Sequence, residues 1–149
     1  MTVPLTTDLG EEYLESGNAD GDTITFLLFD DSTDNIQENE DVGDITTEAD
    51  DAESYARQSS LVSTSQLAGS GGGDWGYNTD SEITFDVETN TETVDAVGYL
   101  ATFESTVAGD TEPTEHLIAA DGLTTTRDLS EISELTFAAG DLEHVISGT

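Results

Sequence analysis

The chain has no lysine and no cysteine, and its only basic residues besides two histidines are Arg57 and Arg127, in a length of 149. Without cysteine there is no disulfide framework and no thiolate nucleophile. Without lysine there is no Schiff-base chemistry. Two arginines cannot build the basic patch that counterion release on duplex nucleic acid requires, so no direct nucleic-acid partner is expected. No apolar run approaches the roughly 18 residues of a membrane-spanning helix, so no membrane partner is expected either. The opening MTVPLTTDLGEEYLES has no basic start and no apolar h-region, which sets the expectation of no secretory signal. Trp75 is the single tryptophan.

What fills the space is acid. Thirty-four Asp and Glu give a formal net charge of -32 and a pI of about 4.1. Such a surface repels itself, and self-repulsion opposes compaction. Salt changes the balance, because the Debye length falls from about 10 Å at 0.1 M to about 3 Å at 1 M. High net charge with low hydropathy is also the signature of intrinsic disorder, but three features oppose that reading. The acids are spread along the chain. Apolar residues make up 34%, and glycine brings this to about 43%, near the globular average of about 45–50%. The apolar residues also fall in strand-like runs. The length fits one domain, residues 1–149, large enough to bury a core.

A short amphipathic segment opens the chain. Leu5, Leu9, Tyr13 and Leu14 recur near helical spacing, and Asp8, Glu11 and Glu12 favour a helix N-terminus, so a helix is expected over residues 8–16. Asn18 to Asp22 reads as a turn. In TITFLLF, Thr23 to Phe29, Ile24, Phe26 and Leu28 share one face while Leu27 and Phe29 share the other, which predicts a strand covered on both faces. Residues 30–52 read as a long acidic loop with one edge strand around Val42 to Thr46. Ser54 to Ala68 is the next strand candidate, and Gly69 to Asn78 reads as a glycine-rich tip carrying two aromatics. EITFDVET, Glu82 to Thr89, turns Ile83, Phe85 and Val87 inward. Thr93 to Ser105 alternates through Val97, Tyr99, Ala101 and Phe103, with Leu100 opposite. Glu115 to Ala120, Leu123 to Phe137 and Leu142 to Ser147 are further strand candidates. Short strands between turn signals predict an all-β antiparallel sandwich or jelly-roll-like fold with a short N-terminal helix.

Candidate sites are sparse. GSGGGD lacks the Lys-[Ser/Thr] ending of a phosphate loop, and its acid would repel an anion. Asn18-x-Asp20-x-Asp22 opens like a calcium loop but has no Gly at the sixth place and has Phe29, not Glu, at the twelfth. Asp30, Asp31, Asp34, Glu38, Glu40 and Asp41 are dense yet fit no ligand template, so a solvated acidic loop is expected and no metal. His116 and His144 fall in predicted strands with nothing in their spacing to place them together. No Gly-x-Ser-x-Gly elbow occurs. A glycosidase carboxylate pair is open by count alone, but such clefts use several aromatics as sugar platforms. The chain is therefore expected to be no enzyme and to need no cofactor. Trp75 and Tyr77 beside glycines, together with the Leu61–Val62 segment, are the candidate interface, since aromatics dominate interface hot spots.

The order of the segments carries a resemblance. TITFLLFDD, SYARQSS and ITFDV are followed by VDAVGYLATFES, EHLIAADGL and AGDLEHVIS. This resembles small β-sandwich structural proteins of tailed viruses, of the head-decoration or fibre-base kind. Val97–Gly98–Tyr99, Leu117 to Ala120 and Gly140–Asp141–Leu142 match that family's motifs in order, within a coverage of about residues 8 to 147. The acidity, the missing lysine and the abundant threonine resemble proteins of salt-loving archaea and their viruses. Together the resemblances imply a virion protein of a haloarchaeal tailed virus, made in the host cytoplasm and seated on the virion as capsid decoration or vertex turret. They imply partnership with itself, as a trimer or pentamer, and with virion proteins such as the major capsid protein. The alternatives are a tail, baseplate or fibre-base protein of such a virus, or a cellular calcium- or carbohydrate-binding module of a halophile.

Overall fold

The computed structural model describes residues 5–15, 22–49, 54–66, 75–139 and 142–146, the backbone alone for 15, 63–66, 75–78 and 143–146. The turn expected at Asn18 to Gly21, the glycine-rich tip from Gly69 and the turn through Gly140–Asp141 lie outside the described residues. The structure is mostly β, with antiparallel sheets and two helices. Nine strands are described: β1 Leu5–Thr6, β2 Thr23–Phe29, β3 Gln58–Gln66, β4 Trp75–Thr79, β5 Ile83–Asp86, β6 Thr93–Phe103, β7 Thr114–Asp128, β8 Glu134–Phe137 and β9 Glu143–Ile146. Seven form one sheet in the order β1-β7-β6-β2-β3-β4-β9, and β5 pairs with β8 as a separate ribbon.

The helix α1, Asp8–Glu15, stands where the amphipathic pattern placed it. Thr7 caps it: its Oγ1 accepts from Gly10 N–H at 3.0 Å and donates to the Leu117 carbonyl at 2.6 Å, so one hydroxyl both ends the helix and ties it to β7. Leu9 and Tyr13 face the core. Leu5 does not share that helical face. It lies in β1, paired with Ala120, because Thr7 starts the helix after it.

Gly10 is required by close approach. A Cβ there would sit 1.9 Å from the Ile118 carbonyl oxygen, with backbone on the other side and no flexible side chain to give way. Gly10→Ala is expected to push α1 off β7 and cost about 1–3 kcal/mol or more, the usual range for overpacking. Gly43→Ala meets open space and should stay within about 0.5 kcal/mol. Thermal melts of both variants in molar KCl check the contrast, and equal melting temperatures would contradict the contact.

The central strands bury both faces, as their patterns predict. Ile24, Phe26 and Leu28 join Val97, Tyr99, Ala101 and Phe103 on one side. Leu27 and Phe29 join Leu100, Leu117 and Ala120 on the other. The first side is covered by α1 and by the β5–β8 ribbon, through Phe85, Val87 and Leu135. The second is covered by the acidic segment, through Ile36, Val42 and Ile45.

That segment departs from the expected open loop with an edge strand. After Asp30 comes a helical turn, α2, Asp31–Asp34, then Asn35 in the left-handed region, and Val42–Asp44 is a single 3-10 turn. The strand pattern around Val42 is overridden by local capping. The Asp41 side chain accepts from Val42 N–H and from Asp44 N–H, while the Asp44 side chain accepts from Asp41 N–H, a reciprocal box that closes a helical turn. Two further corrections concern strand limits. The candidates from Glu115 and from Leu123 run together as β7, because Gly122 pairs with Ala96 and the mismatch is absorbed by a register shift between Val94 and Ala96. Trp75 and Tyr77 are in strand β4, not in a loop. Gly76 hides their alternation, and pairing with β3 and with β9 completes the strand.

Candidate functional site

The four residues expected at an interface lie on adjacent strands, but not as one surface. Leu61 and Val62 are neighbours on β3 and therefore point to opposite faces. Leu61 is 53% exposed, whereas Val62 is 1% exposed and sits in the core with Ile83 and Phe85. Of that pair, only Leu61 presents a surface. Trp75 lies opposite Gln66 and Tyr77 opposite Thr64 in the β3–β4 register, and their side chains lie outside the described part.

The most organised polar site centres on a histidine that sequence reading treated as an ordinary strand-face residue. His116 on β7 is 4% exposed. Its Nδ1 is 2.6 Å from Asp41 Oδ2 and its Nε2 is 2.6 Å from Asp110 Oδ2. A neutral imidazole has one N–H and one lone pair, so it satisfies only one of two facing carboxylates; the imidazolium satisfies both. Burial by itself would lower the pKa of His116, but the hydrogen bonds its ring donates to Asp110 and Asp41 outweigh it and the net shift is upward. The Asp110 carboxyl is held below its ordinary range, first by His116 and then by Ser105 N–H. The Phe103 ring lies edge-on to the imidazole at 5.3 Å and closes the apolar side.

Both carboxylates are themselves positioned. Asp41 Oδ1 accepts from Leu117 N–H at 2.8 Å and from Val42 N–H at 2.7 Å. Asp110 Oδ2 accepts from Ser105 N–H at 3.0 Å. The Ser105 hydroxyl donates to Glu12 of α1 at 2.5 Å, and Thr106 N–H donates to the same carboxylate at 2.7 Å. The Ser105 hydroxyl holds the Glu12 pKa down. The site thus joins the acidic segment, the loop between β6 and β7, β7 itself and α1. Asp41 and His116 are 75 residues apart, so no local spacing could have signalled the pair.

The other acids expected in a solvated loop also serve as backbone acceptors. Asp34 accepts from Thr46 N–H and Thr47 N–H, both at 3.1 Å, and from both hydroxyls. Burial raises its pKa, the threonine hydrogen bonds lower it more, and the net shift is downward. Asp30 accepts from Ser32 and Thr33 and is held down chiefly by the Ser32 hydroxyl. Asp95 of β6 accepts from Asp31 N–H at 2.7 Å and Ser32 N–H at 3.2 Å, at the first turn of α2. Arg57 spans Glu48, with two bonds of 2.8 Å, and Glu115, at 2.8 Å. Among the described residues, no group of three or more His, Asp or Glu side chains could hold a metal ion.

Comparison with protein-family models, with curated proteins and with solved structures gave no match for this chain.

Proposed function

We propose that this chain is a non-enzymatic structural subunit of the virion of a haloarchaeal tailed virus, a capsid decoration or vertex turret protein that assembles symmetrically in high salt. In this reading the fold is a reduced β-sandwich whose second layer is the β5–β8 ribbon. One observation carries the proposal furthest. Of the segments whose order resembles the virion proteins, three supply β2, β6 and β7, side by side at the centre of one antiparallel sheet, and the last supplies β9 at its edge. With apolar layers on both faces, that sheet is a rigid block suited to being built upon.

The subunit would close on itself as a cyclic trimer or pentamer, the usual outcome for homo-oligomers. It would dock through Leu61, the exposed apolar position of β3, because an all-acidic contact would repel. Leu61→Asp should weaken attachment to particles by about 2 kcal/mol or more, the scale of an interface hot spot. Leu61→Asp should leave the isolated fold intact, since that side chain is already half in solvent. Sedimentation in molar KCl and an occupancy count on purified virions are the measurements. A strict monomer, absent from virions and unaffected by Leu61→Asp, would remove this reading.

A further inference from the structure

The acidic segment is a cover over an apolar sheet face, and its attachment is uneven. Ile36, Val42 and Ile45 lie against Leu27, Phe29, Leu100 and Leu117. At the α2 end, Asp95 holds two backbone N–H groups and no titratable cation is involved. The far end is held by Thr46 and Thr47 on Asp34 and by Ala49 N–H on the Leu28 carbonyl, and the Glu38 carbonyl accepts from Asp8 N–H. Between these fixed points, the turn that begins at Asp41 is fastened through Leu117 N–H and His116. We propose that Asp41 and His116 form a proton-operated latch, closed while the imidazole carries two protons and open when it loses one, which frees the 3-10 turn Val42–Asp44 and the neighbouring Ile45 from the sheet.

The geometry decides which arm gives way. Once one ring proton is gone, a nitrogen lone pair faces a carboxylate at contact distance, and one of the two must leave. Asp110 has 13% of its side chain exposed and is pinned by Ser105 N–H. Asp41 is held by Leu117 and Val42 N–H on its other oxygen, Oδ1, whereas Ser105 N–H pins the very Asp110 oxygen that faces the ring; with 34% of the Asp41 side chain exposed, water can take over its charge at lower cost. The carboxylates at the ring push in one direction: Asp41 from the segment and Asp110 from the β6–β7 loop in direct contact, and Glu12 of α1 through Ser105. Glu115 next to the histidine is engaged by Arg57. Among the described residues no cation contacts the ring to replace the lost proton, and Asp41, Asp44, Glu38 and Glu40 give the segment a charge that favours its departure.

The sign follows from the raised pKa of His116. The contribution is complete below about pH 6.5, the ordinary histidine value, and is lost as pH rises through the higher folded-state value. The test is amide hydrogen exchange on the full chain in molar KCl between about pH 5 and pH 9, beside an NMR titration of the imidazoles. The His144→Gln variant assigns the two histidine signals. Val42 and Leu117 N–H, which donate to Asp41, should exchange at least tenfold faster than intrinsic base catalysis explains, with a midpoint equal to that of His116. Ser32 N–H, held by Asp95, should show no such step. In His116→Gln the step should vanish. An exchange profile without a step, a midpoint apart from that of His116, or a step that survives in His116→Gln would each overturn the latch. If His116→Gln fails to fold, the coincidence of the two midpoints in the parent chain decides alone.

Discussion

Transfer from molar to millimolar KCl is expected to abolish the strand signal in circular dichroism and to return it when salt is restored. The net charge of -32 then acts over a Debye length at least about ten times longer, about 30 Å at 0.01 M against about 3 Å at 1 M. Repulsion on this scale opposes the compact state of a protein whose net stability is only about 5–15 kcal/mol. Mild acid at low salt should rescue the fold in part, and the pKa shifts set the window. As pH falls toward the pI of about 4.1, carboxylates with ordinary pKa values lose charge and repulsion fades. Glu12, Asp30, Asp34 and Asp110 are held lower and stay ionised, keeping the backbone N–H groups they serve. A depressed folded-state pKa contributes stability above the unfolded value, near 4 for these groups, and that contribution is lost as pH falls through the folded value. The protonated His116 remains favourable throughout the acid range. The rescue is therefore expected around pH 4 to 5 and lost again below it, a maximum that a pH series at millimolar KCl would reveal. Unchanged strand signal and melting temperature at both salt concentrations would contradict the whole account.

Truncating Phe85 should be the most damaging single change on the ribbon. Phe85 is fully buried, stacks on Tyr55 at 5.8 Å and meets Phe137 edge-on at 6.2 Å. With Ile83, Val87 and Leu135 it anchors the β5–β8 ribbon on the core. Phe85→Ala should cost about 3–5 kcal/mol, the range for a buried phenylalanine. Its neighbour Asp86 is exposed and stands directly opposite Glu134 in the register. Asp86→Ala removes a like-charge pair across the strands, so it should be neutral or mildly stabilising, within about 0.5 kcal/mol. Denaturant titration in molar KCl compares the two. Equal losses would mean that the strand is turned by one residue, which would reverse every face in the ribbon.

The two-sided burial of β2, the inward set Ile83, Phe85 and Val87, and the helix from Asp8 were legible because each rests on a local period. Strand alternation and helical spacing are properties of neighbouring residues, and the apolar side chains at those spacings could be buried in only one way. Composition alone likewise sets the expectation of salt dependence, since net charge does not depend on how the chain is folded. The rest was decided by partners far along the chain. Trp75–Gly76–Tyr77 became a strand because β3 and β9 supply its hydrogen bonds. Residues around Val42 became a helical turn because Asp41 and Asp44 cap it and Ile36, Val42 and Ile45 needed a sheet face to lie on. The acids of residues 30–52 read as a solvated run, because a carboxylate's preference for water is visible in sequence and its access to an unpaired N–H is not. Leu61 and Val62 were indistinguishable until β3 had neighbours on both sides. His116 took its meaning from Asp41 and Asp110, which only the folded chain brings to its two nitrogens. A hydrogen bond is set by position in space to a few tenths of an ångström, and no spacing along a chain encodes that for residues 75 apart.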